Sequence, residues 1–82
     1  MDYDFGKFIE KAKNDCRTKS DFISMIDKEK GLISEINNGQ SSLQREMYSQ
    51  RLDNAKFCVQ NRVMKMKDQY NDDLRKLLDG LR

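Results

Sequence analysis

Ile36-Asn37-Asn38-Gly39-Gln40-Ser41-Ser42-Leu43 is the strongest break in a chain that contains no proline. Asn and Gly accept the left-handed conformation that ends a helix, and Gly39 has the chemistry of the residue just past a C-cap. Ser41 or Ser42 then offers a hydroxyl to the first turn of a second helix. Gln44, three residues after Ser41, has capping-box spacing. The segment predicts a tight turn over 37–42 between two helices.

Upstream, Phe5, Phe8, Ile9, Ala12 and Cys16 recur at helical spacing, and so do Phe22, Met25, Ile26, Leu32, Ile33 and Ile36. Taken together as one stripe, these residues run the length of the first half. The preferred reading is one long helix over about residues 4–37. The competing reading breaks it near residues 17–21, at Arg17-Thr18-Lys19-Ser20-Asp21. No apolar residue occurs there, and Thr18 and Asp21 have capping-box spacing. That reading gives a three-helix arrangement.

Downstream, Tyr48, Leu52, Ala55, Val59, Val63, Met66, Tyr70, Leu74, Leu77 and Leu81 are spaced 4, 3, 4, 4, 3, 4, 4, 3 and 4. Their mean near 3.67 keeps the stripe almost straight along one face. It predicts a second helix over about residues 42–79, roughly 57 Å long. Leu43, Met47, Phe57 and Met64 project on the opposite side, with Cys58 on one flank. One neighbouring helix covers one face only. Leu43, Met47, Phe57 and Met64 are therefore the expected partner-binding residues, covered by a helix of another chain.

The fold class expected is all-α: one domain over residues 1–82, an antiparallel hairpin of two long helices. Two helices alone bury little apolar surface, and the ordering cost leaves such a hairpin near zero net stability. Assembly with further helices, as a coiled coil with copies of itself or with another protein, is the expected remedy. Hydrophobic residues make up 37% of the chain and charged residues another 37%. Against norms of roughly 45–50% and 25%, that balance favours helices with thin apolar stripes.

The chain is poor in catalytic parts. It has no His, and no Gly-rich phosphate loop, H-E-x-x-H or C-x-x-C motif. Cys16 and Cys58 lack the base that activates a thiol nucleophile, and no residues stand at metal-ligand spacing. Asp72-Asp73 reads as solvated charge near a helix end. A two-helix hairpin also lacks room for a small-molecule pocket. The chain is expected not to be an enzyme and to use no cofactor, metal or small-molecule substrate.

Sixteen basic against 14 acidic residues leave a net charge of +2, less than a nucleic-acid-binding domain usually carries. Lys7, Lys11, Lys13, Arg17 and Lys19 form one basic cluster and Arg62, Lys65 and Lys67 another. Asp15, Asp21 and Asp68 border them, so a mixed solubilising surface is preferred over nucleic-acid binding. No apolar run is long enough to cross a membrane. The opening Met1-Asp2-Tyr3-Asp4-Phe5, acidic and aromatic, is not expected to act as a signal peptide. A cytoplasmic, reducing environment is expected, with Cys16 and Cys58 as free, small apolar residues.

From Leu32 to Arg62 the chain resembles the small helical-hairpin proteins of type III secretion systems, needle subunits and short co-chaperones alike. The likeness lies in a helix ending at Ile36-Asn37-Asn38-Gly39 and a second opening Leu43-Gln44-Arg45-Glu46-Met47-Tyr48-Ser49-Gln50-Arg51-Leu52. The Pro-x-x-Pro turn common in needle subunits is absent. The resemblance implies a self-assembling subunit or co-chaperone. The residues themselves favour a protein-binding adaptor, inhibitor or chaperone, with a small nucleic-acid-binding accessory protein as a third class.

Overall fold

The computed structural model describes residues 4–35, 42–63 and 70–82. These form four helices and, among the described residues, no strand: α1 (Phe5–Asp15), α2 (Lys19–Glu35), α3 (Ser42–Asn61) and α4 (Asn71–Asp79). α2 packs on α3 as a hairpin, and α1 packs on α4. The expected all-helical class is thus observed. The two long helices are each divided.

The first division falls where the competing reading put it. α1 opens on Asp4, whose carboxylate accepts the Lys7 N–H at 3.1 Å. It closes at Cys16, where the backbone turns extended. α2 then starts under a reciprocal cap. Asp21 N–H donates to the Thr18 hydroxyl at 3.1 Å, while the Asp21 carboxylate accepts from the N–H groups of Thr18 (3.1 Å) and Arg17 (3.0 Å). Three main-chain donors at the junction are satisfied locally, so a break here is cheap. The helix expected over 4–37 is corrected to α1 and α2.

The second division carried no sequence signal. Arg62 adopts φ 54°, a left-handed conformation, and Val63 N–H donates back to the Cys58 carbonyl at 3.2 Å. This six-residue closure is the Schellman stop, with Arg in the place usually held by Gly. The helix expected over 42–79 is corrected to α3 and a separate α4. Periodicity missed the break because the apolar phase persists across it: Leu74 and Leu77 are buried, like Leu52 and Val59.

These two breaks let α1 and α4 complete the core over the α2–α3 hairpin. Phe5 meets Tyr70 edge-on at 5.0 Å and lies 5.9 Å from Phe8, which in turn lies 6.1 Å from Phe22. The Arg51 guanidinium sits 5.0 Å from the Tyr70 ring and 5.9 Å from Phe5, a cation–π arrangement that ties α3 to both. Among the described residues, fifteen apolar side chains, from Phe5 in α1 to Leu77 in α4, form one buried cluster. The chain therefore closes a core of its own, which a two-helix hairpin could not.

The chain end is clasped to the α1–α2 junction. Arg82 N–H donates to the Arg17 carbonyl at 3.1 Å, and Lys19 N–H donates to the Arg82 carbonyl at 3.2 Å. Two expectations on side chains change. Cys58, placed on a flank, is fully buried; Leu32, placed in the stripe, is 50% exposed. The turn expected over 37–42, with Gly39 and the Ser41–Gln44 cap, lies outside the described residues except for Ser42, where α3 begins. Ile36, Met64 and Met66 also lie outside them.

Candidate functional site

The outer face of α3 carries three of the four residues expected to bind a partner. Leu43 is 66% exposed, Met47 55% and Phe57 46%. Met64, the fourth, lies outside the described residues. On one helix, Leu43, Met47 and Phe57 fall within a sector of roughly 80°, turned more than about 100° from the Leu52–Val59 core side. The structure thus brings Leu43, Met47 and Phe57 into one line.

Between them stand Gln50 and Asn54, with Asn61 beyond Phe57, all exposed. Leu43, Met47, Gln50, Asn54, Phe57 and Asn61 are spaced 4, 3, 4, 3 and 4, which is the heptad period of a helix that packs along another helix. The line runs about 27 Å at 1.5 Å per residue and contains no charged side chain. In a chain where charged residues are 37% of the total, such a strip lowers the cost of removing this face from water. Sequence reasoning found the apolar members but not the three amides. Their signal was available in the 4, 3, 4, 3, 4 spacing on the face opposite the core stripe.

Charge lies beside the strip. Asp53 pairs with Lys30, and Lys56 pairs with Asp27 at 2.9 Å, joining α3 to α2. These exposed pairs contribute little individually, but they hold the polar flank of α3 against its neighbour. Asn61 Nδ2 donates to the Phe57 carbonyl at 3.0 Å and finishes the helix end.

The thiols stand apart from this face. Cys16 and Cys58 are free and buried. Cys16 Sγ lies 3.6 Å from Met25 Sδ. Burial pushes its thiol above the ordinary range, with Asp21 and Asp15 adding to the shift. A thiol so placed stays protonated and packs as an apolar group.

Among the described residues, no group of three or more His, Cys, Asp or Glu side chains could hold a metal ion. None of the described helices is long and apolar enough to cross a membrane. Asp72 and Asp73 lie in the first turn of α4, where negative charge favours the helix dipole. The four-helix arrangement does leave a cavity of about 500 Å³ at one end of the molecule, correcting the expectation that the fold has no room for one.

No protein-family model, curated protein or solved structure matches the chain at a significant level. The likeness of residues 32–62 to secretion hairpin proteins therefore rests on those residues alone.

Proposed function

We propose that this protein is a non-enzymatic protein-binding module, a small helical adaptor, inhibitor or chaperone. It presents the outer face of α3 to a helix of another protein. The observation that carries this reading is the charge-free, heptad-spaced line from Leu43 to Asn61, exposed along its length on the far side of a helix whose inner side is committed to the core. An amphipathic helix laid along it would find anchors at Leu43, Met47 and Phe57. The central amides would fix its register.

A second reading, a structural subunit that assembles with its own copies, is favoured by the symmetry of the line. Met47 and Phe57 stand equally far from Leu52, and so do Gln50 and Asn54. Two copies related by a two-fold axis would set Met47 against Phe57 and amide against amide, a self-complementary contact.

Paired baits test the proposal: the wild type and Met47→Glu/Phe57→Glu, used in parallel on extracts of the native host. A protein retained by the wild type and lost from the variant supports docking on this face. Identical retention by both baits overturns it. Sedimentation of the same two proteins detects the second reading as a dimer lost in the variant.

A further inference from the structure

We propose that the cavity between the α2 N-terminus, the α3 C-terminus, α4 and the chain end binds a small phosphate ester of nucleotide size. Its volume, about 500 Å³, falls within the range of small-molecule sites. Four cationic side chains line it: Lys19, Arg62, Arg75 and Arg82. One acidic residue, Asp79, lines it with them. The excess stays positive even with an α-carboxyl group on Arg82 counted against it.

Among the described residues, none of these four cations has an ion-pair partner. Like charges gathered around a partly enclosed space repel one another, and a multivalent anion would relieve that repulsion. Three of the four are arginines, whose planar guanidinium forks match phosphate oxygens. The remaining wall is apolar, chiefly the half-buried Leu78 and Leu81 lying over the buried Val59 and Cys58. That division suits a ligand with a charged head and an apolar body, as a base attached to a phosphorylated sugar provides.

Arg62 supplies an independent observation. It holds φ 54°, where Gly or Asn sits at lower cost, and the residue found there instead is a cation lining the cavity. The Arg82 clasp to Arg17 and Lys19 fixes the opposite wall through main-chain bonds of 3.1 and 3.2 Å.

Isothermal titration of the full chain with ADP and with inorganic pyrophosphate tests the proposal. ADP should bind saturably, and pyrophosphate, lacking the apolar body, more weakly. Arg75→Gln should weaken ADP about tenfold or more, the loss expected for a charged hydrogen bond. Arg62→Asn, which keeps a residue tolerant of positive φ, should do the same with unchanged helix content. Lys7→Gln removes an equal charge from the surface of α1 and should leave ADP binding intact. Absence of saturable ADP binding at millimolar concentration overturns the proposal, as does an equal loss in Lys7→Gln. A short single-stranded DNA that binds but is not displaced by ADP also overturns it, in favour of a nucleic-acid surface.

Discussion

Thr18 and Asp21 each satisfy the other's main chain, hydroxyl to N–H and carboxylate to N–H, both at 3.1 Å. This reciprocal cap is what permits the chain to turn between α1 and α2. Thr18→Ala removes one half of it and leaves the Asp21 N–H to water. The expected loss is about 1 kcal/mol. In a domain of this size that lowers Tm by roughly 4–8 °C, measured by thermal circular dichroism.

The same carboxylate predicts an acid limb. The N–H of Arg17 first, and that of Thr18 next, hold Asp21 below its ordinary value of 3.8. A carboxyl group with a lowered folded-state pKa stabilises the fold above its unfolded pKa, and this contribution disappears as pH falls through the folded value. Tm of the wild type should therefore drop below about pH 4 more steeply than Tm of Asp21→Asn. Parallel acid profiles would show that the cap carries no such linkage.

Gly31 lies inside α2, and a methyl group built there meets nothing within 4 Å. Its only structural consequence is the backbone freedom that folding must remove. Gly31→Ala should raise stability by about 0.5–1 kcal/mol, read as an increased midpoint in urea. A decrease would mean that the open space around this position is filled in solution.

Truncation should separate the core from the α3 face. Leu74 is fully buried, whereas Leu43 is 66% exposed. Leu74→Ala is expected to cost about 2–5 kcal/mol, and Leu43→Ala within about 0.5 kcal/mol. Equal losses in chemical denaturation would place Leu43 in the core and remove it from any docking surface.

Much of this arrangement was legible in residue spacing. Phe5, Phe8, Ile9 and Ala12 are buried where their helical period put them, and so are Leu52, Ala55 and Val59. The cap at Thr18 and Asp21 was visible, but the helical recurrence of apolar residues on both sides of it favoured one helix. Arg62 was illegible: arginine carries no preference for the left-handed region, and its stop depends on tertiary context rather than local chemistry. Cys58 was misplaced because a straight-helix wheel fixes one core direction, whereas α1 and α4 widen the buried sector of α3. The exposure of Leu43, Met47 and Phe57 followed from their angle. Gln50, Asn54 and Asn61 were passed over because amides carry no hydrophobic signal.

Site-specific photo-crosslinking in the native host tests the central claim most directly. A photoreactive residue replaces Met47 or Phe57 in turn, with Ser20 and Asp72 as exposed controls on α2 and α4. Docking on the outer face of α3 predicts a discrete crosslinked product from positions 47 and 57 and none from 20 or 72. No product at 47 and 57, or the same product from all four positions, would contradict it.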